Sequence, residues 1–271
     1  MPDRPVRQQP QSRRARVIRT ERLTPLMVRV VLGGDGLAGL EAGKFTDHYI
    51  KLLFPVPGVT HPEPFDIARI RAELPRDQWP RPRTYTVRSW DADARELAVD
   101  FVVHGDEGLA APWAAACRPG DQVIARGPGG KWAPSPEADW HLFVGDESSI
   151  PAIEVGLAAL PADARGLALI EVGEHTVALA APEGVEVRWL VRGDEPYRED
   201  RLAAELGSLP WEGLGDVDVF AHGERGAMKA LRAVFRDRGV PSERLSISGY
   251  WALGRKEDEF QAEKRTELGR I

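Results

Sequence analysis

Leu97-Ala98-Val99-Asp100-Phe101-Val102-Val103 sets the reading of the first half of this chain. Leu97, Val99, Phe101 and Val103 share one parity, and Ala98, Asp100 and Val102 share the other. Apolar side chains at every second residue suit a strand with one face on a core; a helix would scatter them around its circumference. Working outward, β-branched or alternating runs recur at 16–20, 27–32, 48–54, 85–90 and 122–125. Turn residues separate them at Gly33-Gly34-Asp35-Gly36, Pro55-Val56-Pro57-Gly58 and Asp91-Ala92-Asp93. Many short strands without long helices between them predict a small antiparallel barrel. The one helix predicted in this half covers 109–117. The stretch 63–82, rich in Pro, Arg and Asp, reads as a surface loop or insertion.

The pattern changes after the linker residues Gly127-Pro128-Gly129-Gly130 and Pro134-Ser135-Pro136. Strands are predicted at 140–144, 167–172, 185–191, 217–221 and 244–248, with helices at 150–160, 199–206 and 227–238. Strands alternating with helices predict a mostly parallel sheet whose ligands bind at the carboxyl ends of the strands. The expected organisation is a disordered leading tail at 1–13, a barrel at 14–133, an α/β domain at 134–254 and a charged helical tail at 255–271.

A chain of 271 residues suits two modest domains. The formal charge of -6 argues against a nucleic-acid binder. The basic run from Arg4 to Arg19 is followed by no apolar core, so it does not read as a secretory signal. The longest apolar candidate, 155–172, is interrupted by Pro161, Asp163 and Arg165, so no membrane span is expected. The single cysteine, Cys117, fits a reducing cytoplasm. The six histidines show no ligand spacing, and no protein-bound metal is expected.

Three pieces could carry chemistry. In an extended Arg83-Thr84-Tyr85-Thr86-Val87-Arg88, Arg83 and Tyr85 share a face, as do Thr86 and Arg88. Guanidinium forks suit a pyrophosphate, a phenol ring can lie beside a flavin, and a hydroxyl can meet flavin N5. The plain alternative is an exposed strand. His104-Gly105-Asp106-Glu107-Gly108 then leads into a helix start, where free amides suit an anion or merely begin a helix. Finally, Gly145-Asp146-Glu147-Ser148-Ser149-Ile150-Pro151 ends the first strand of the α/β half, as Gly173-Glu174-His175 and His222-Gly223-Glu224-Arg225 end later ones. From these loops Gly145, Asp146, Glu147, Gly173, Glu174, Gly223, Glu224 and Arg225 are the candidates for a nicotinamide nucleotide. The chain has no G-x-G-x-x-G, no phosphate loop and no G-x-S-x-G.

Arg83-Thr84-Tyr85-Thr86-Val87-Arg88, Asp100-Phe101-Val102-Val103-His104-Gly105, Gly108 to Trp113, Pro119-Gly120-Asp121, Gly127-Pro128, Gly145 to Ile153 and Ser248-Gly249-Tyr250-Trp251 resemble the siderophore-interacting protein family, within the ferredoxin–NADP reductase superfamily. The likeness runs in order from about Arg14 to Gly254. It implies a six-stranded barrel for FAD and a C-terminal nicotinamide domain. It also implies a cytoplasmic enzyme that reduces ferric siderophores with NADH, NADPH or ferredoxin. FAD would be held by Arg83, Tyr85, Thr86, Val87 and Arg88, completed by Asp100, Val102, His104, Gly108, Ala110, Ala111, Asp146 and Ser148. Thr86 and Tyr85 would lie nearest the chemistry. Lys51, Lys131 and Arg255 would receive the ferric chelate. The family often has Arg or Lys after Gly-Tyr-Trp, whereas this chain has Ala252. That departure leaves open a flavin reductase with another acceptor, or a chelate-binding flavoprotein with little turnover.

Overall fold

The computed structural model describes residues 11–41, 43–103 and 108–271. The first domain is one antiparallel sheet. Its strands are β1 (Ser12–Thr24), β2 (Met27–Gly33), β3 (Tyr49–Phe54), β4 (Arg81–Thr86), β5 (Ser89–Asp91), β6 (Glu96–Val102) and β7 (Gln122–Gly129). They lie in the order β4-β3-β7-β1-β2-β6-β5. The edge strands β4 and β5 are separated in sequence by Val87 and Arg88 alone. The Val87 N–H still bonds His48 O beside β3, at 2.8 Å, but the Arg88 N–H bonds Ala98 O in β6, at 2.9 Å. The chain thus passes from one edge to the other and closes the sheet. This hand-over splits the run expected at 85–90, so the described residues form seven strands where six were expected.

The alternation in β6 acts as the sequence implied. Leu97, Val99 and Phe101 are fully buried, joining Ala15, Val17, Val30, Leu32, Ile50 and Leu52 in the barrel core. Each such aliphatic or aromatic side chain contributes roughly 1.5–3 kcal/mol on burial.

Three local expectations are corrected. The segment 63–82 contains a helix, α1 (Ile67–Glu73), capped by the Asp66 side chain, with Ile67 and Ile70 buried. Its charged faces hid a two-residue apolar stripe. Gly127 to Gly129, read as linker, end β7, and Gly129 pairs with Tyr49. At Gly127 φ is +133° and a Cβ would lie 3.0 Å from Tyr49 O, so glycine is needed there. Ser12 and Arg13, assigned to the tail, already pair with Arg126 and Ala125 in β7. The helix α2 (Ala110–Ala116) follows β6 and packs Ala110 and Ala114 on the core.

The second domain is a five-stranded parallel sheet in the order β10-β9-β8-β11-β12. Its strands are β8 (Trp140–Asp146), β9 (Gly166–Val172), β10 (Val185–Val191), β11 (Val217–Glu224) and β12 (Leu245–Trp251). One face packs Phe143, Ile170 and Phe220 on α3 (Ile150–Ala158), and here Met27, Leu23 and Trp132 arrive from the barrel side. The other face packs Leu142, Leu169 and Val219 on α4 (Arg201–Ser208) and α5 (Arg225–Asp237). Strand order reverses between β8 and β11, which opens a crevice at their carboxyl ends. The last helix, α6 (Glu257–Glu263), returns to the body through Phe260, which is 1% exposed.

Candidate functional site

Asp146 closes β8 at the switch point, and its carboxylate gathers donors from three elements. Oδ1 accepts from the Ser148 N–H and the Ser148 hydroxyl. Oδ2 accepts from the Glu224 N–H at 2.7 Å and from Trp251 Nε1–H at 2.9 Å. The approach is so close that a Cβ at Gly223 would lie 2.6 Å from Asp146 Oδ2, and one at Gly145 would lie 2.4 Å from His222 O. Burial pushes the Asp146 carboxyl up to about 6, with Glu147 adding to the rise and the Ser148, Trp251 and Glu224 hydrogen bonds opposing it.

Parallel pairing puts the three predicted nucleotide loops on one edge, and hydrogen bonds join them. Glu147 accepts from the Gly173 N–H. Glu224 caps α5 through the Ala227 N–H at 2.9 Å and accepts from the Leu253 N–H at 3.0 Å. Arg225 does not face an open cleft, because it pairs with Glu263 of α6 at 2.6 Å. Glu174 pairs with its neighbour His175, at 3.7 Å. Tyr197, which the sequence did not single out, packs on Trp251 with ring centroids 5.9 Å apart. Its hydroxyl titrates well above the ordinary range because of burial first, then Glu224, Asp146 and Glu171.

The barrel contributes the facing wall. The Tyr85 ring packs on Phe101 at 4.3 Å between centroids. Burial, followed by the nearby Glu257, raises the Tyr85 phenol. Thr86 is buried and its side chain faces the Tyr250 hydroxyl of β12. Arg83 bonds Asp258 of α6 at 2.8 Å. Arg88 makes a two-pronged pair with Glu154 of α3, its Nε at 2.6 Å from Oε2. Val87 lies in the barrel core. Asp100 forms a two-pronged pair with Arg29 at 2.7 and 2.8 Å, and that pairing raises the Arg29 pKa. Its carboxylate is therefore spent on bracing β2 against β6. Val102 and Ala111 are half-buried and Ala110 is buried. Gly108 has φ +90° and open space where a Cβ would stand. His104 lies outside the described residues.

These features fit an anionic flavin dinucleotide. Two guanidinium groups lie on or beside β4, and the N-cap residue of α2, Leu109, offers no side-chain bond to its amides. Each guanidinium already holds a carboxylate, which a phosphate would replace or share.

The substrate candidates form a loose cationic rim. Lys51 and Lys131 are exposed. Arg255 shares the Glu263 carboxylate with Arg225, at 2.8 Å. Lys264 of the tail, absent from the sequence expectations, lies in reach of Lys51; burial first, then Lys51, lowers its pKa, while Glu257 opposes. Ala252, where the family often has a cation, is buried. Among the described residues no group of His, Cys, Asp and Glu could hold a metal ion. No helix among them is long and apolar enough to cross a membrane.

Residues 16–132 match the siderophore-interacting FAD-binding domain, and residues 138–254 match the siderophore-interacting protein domain. The chain belongs to the siderophore-interacting protein family. Its barrel is the family's FAD-binding domain. Over 253 residues it is 31% identical to the ferric vibriobactin reductase ViuB of Vibrio cholerae, covering 91% of this chain and 92% of that one. Over 251 residues it is 32% identical to the NADPH-dependent ferric-chelate reductase of Escherichia coli, covering 91% and 95%. The crystal structure of the siderophore-interacting protein SipS from Aeromonas hydrophila superposes with a TM-score of 0.79 at 31% identity, covering 93% of this chain and 96% of that one. Ferredoxin–NADP+ reductase from Plasmodium falciparum shares the fold alone, with a TM-score of 0.61 at 11% identity, covering 88% and 96%.

The residues missed from sequence are Tyr250, His222, Tyr197, Glu154, Asp258 and Lys264. Tyr250 and His222 stood inside quoted motifs, but the partners that give them meaning lie on other elements.

Proposed function

We propose that this protein is a cytoplasmic FAD-dependent reductase that converts a ferric siderophore to its ferrous form, with NAD(P)H as electron donor. The observation that carries the reading is the juxtaposition of the Arg83-Tyr85-Thr86 strand with the β8/β11 switch point, under a rim of Lys51, Lys131 and Lys264. The relatives named as ferric reductases support the reaction class.

FAD supplies the meeting point between a two-electron hydride donor and a one-electron ferric acceptor. Arg83, Arg88 and the start of α2 would hold its phosphates. Tyr85 presents an aromatic face, and Thr86 presents a hydroxyl at the barrel edge. The nucleotide loops around Asp146, Gly173 and Gly223 receive the donor. The lysine rim draws in an anionic chelate that the net charge of -6 would otherwise repel. Hard siderophore oxygens favour Fe(III), so reduction loosens the iron without any protein ligand to it.

A second reading concerns the donor. Because α6 places Asp258 on Arg83 and Glu263 on Arg225, the tail lies over both nucleotide walls. A protein donor such as ferredoxin needs no open nucleotide cleft. Anaerobic mixing of the FAD-bound protein with NADH or NADPH separates the two. Bleaching of the flavin band within seconds supports the nicotinamide reading. A band that persists with both nucleotides but bleaches with reduced ferredoxin overturns it in favour of a protein donor.

A further inference from the structure

Phe220 and His222 lie on one face of β11, and Ser246 and Tyr250 lie on the same face of β12, as the two-residue period of a strand requires. The register pairs Phe220 with Ser246 and His222 with Ser248, so His222 stands between Ser246 and Tyr250. Both of its ring nitrogens are engaged: Nδ1 is 2.9 Å from the Tyr250 hydroxyl and Nε2 is 3.0 Å from the Ser246 hydroxyl. The ring lies on Phe220 with centroids 3.9 Å apart. Beyond His222 the Tyr250 hydroxyl faces the Thr86 side chain across the domain boundary. Thr86, His222 and Ser246 are 9%, 3% and 6% exposed and Tyr250 is half-buried, so the file lies largely in the interior.

The chemistry of the file is uniform. Threonine, tyrosine and serine hydroxyls each donate and accept, and a neutral imidazole donates from one nitrogen while accepting at the other. Every member can therefore pass a proton on by exchanging its two roles. Burial first, then Lys131 from the barrel side and Lys264 from the tail, holds the His222 pKa at about 3, so the imidazole is neutral. Burial first, then Asp47 and Asp146, keeps the Tyr250 phenol protonated, with the Thr86 hydrogen bond opposing. Hydroxyls at both nitrogens satisfy any buried imidazole; what packing alone does not require is the continuation through Tyr250 to Thr86 on the barrel.

We propose that Thr86, Tyr250, His222 and Ser246 form a proton relay from the flavin edge of the barrel into the second domain. A flavin exchanges protons with its electrons, and this proposal rests on the flavin reading of the site. A proton given up at Thr86 Oγ1 moves the Thr86 proton to Tyr250 Oη. The Tyr250 proton then goes to His222 Nδ1, and the His222 Nε2 proton goes to Ser246 Oγ. Ser246, which keeps 6% of its surface exposed, hands the last proton from its hydroxyl to solvent. Proton uptake runs the same steps backwards, and no member is left charged at the end. Tyr250 and His222 act through Thr86, so they are positioning and proton-passing residues.

The test uses the full FAD-bound chain, photoreduced in the presence of a pH-indicator dye, with Tyr250→Phe and His222→Gln beside the wild type. Glutamine can still bond both hydroxyls but passes a proton poorly. The relay predicts FAD dissociation constants within about threefold of wild type in both variants. It predicts proton uptake slowed by about tenfold or more in both, at the low end of what a positioned proton-transfer group contributes. In the ligand-free protein, nitrogen NMR should show His222 as one neutral tautomer at pH 5. Wild-type proton uptake in His222→Gln overturns the relay, as does FAD loosening in Tyr250→Phe with proton uptake unchanged. A wild type that binds no FAD overturns the flavin reading and the relay together, whereas FAD binding with unaltered uptake in both variants overturns the relay alone.

Discussion

Replacing Asp146 with Asn probes the knot that joins β8, β11 and β12. The wild-type carboxylate accepts from the Ser148 N–H and hydroxyl, the Glu224 N–H and the Trp251 Nε1–H. An amide has a single oxygen. The Glu224 and Trp251 donors have no way to reverse, whereas the Ser148 hydroxyl can turn to accept, so the amide nitrogen faces Ser148. The Ser148 N–H then loses its partner, at a cost of about 1–3 kcal/mol. The pH dependence is the sharper signature. The folded Asp146 pKa is raised from 3.8 to about 6, chiefly by burial. A raised acid stabilises the fold fully below its unfolded pKa, and that contribution is lost as pH rises through the folded value. At about 1.4 kcal/mol per pH unit the whole effect is about 3 kcal/mol, of which about 2 kcal/mol falls between pH 4 and pH 8. Asn does not titrate, so Asp146→Asn should gain on the wild type by that amount as pH rises. Paired urea titrations at pH 4, 6 and 8 measure the difference, because the other groups titrate alike in both chains and cancel. A difference independent of pH, or one that moves in favour of the wild type as pH rises, would refute the reasoning.

Arg83→Ala should weaken FAD by about 1.5–3 kcal/mol, through loss of a charge-assisted phosphate contact. Asp258→Ala, which removes the carboxylate now on Arg83, should tighten it; titration of the ligand-free chain with FAD measures both signs. Phe260→Ala should remove about 3–5 kcal/mol of packing from the tail, and hydrogen exchange across Glu257–Glu263 should then rise while β8 and β11 stay protected. Lys51→Glu should raise the apparent KM for an anionic ferric chelate and flatten its salt dependence, since surface charges are screened beyond about 8–10 Å at physiological ionic strength. A neutral chelate, assayed in parallel, should change little.

Much of the fold was legible because it is written at short range. The period of two in Leu97, Val99 and Phe101 placed β6 and its core face, and alternating strands and helices after residue 140 gave the parallel sheet. What escaped has a physical reason. Ile67 and Ile70 were hidden among Arg, Asp and Pro, so α1 read as a loop. The split between β4 and β5 depends on which neighbours accept from Val87 and Arg88, and no local pattern encodes that. The site divided in the same way. Arg83, Tyr85, Thr86 and Asp146 could be named as residue types suited to a flavin. That Arg88 meets Glu154 and Arg83 meets Asp258 could not, because those partners are 66 and 175 residues away. Asp100 stood in a recognisable motif, but that its carboxylate pairs with Arg29 was not legible, because the partner lies on β2.

The most direct test of the central claim counts electrons. The purified chain, with FAD bound and excess FAD removed, is reduced anaerobically with one equivalent of NADPH or NADH and then titrated with a ferric siderophore while a ferrous chelator reports Fe(II). A flavin that joins a two-electron donor to a one-electron acceptor predicts about two Fe(II) per flavin, with the oxidised flavin band restored at the same end point. A reduced flavin that returns to its oxidised band only on exposure to air, and yields no Fe(II) from the ferric siderophore, would contradict the account.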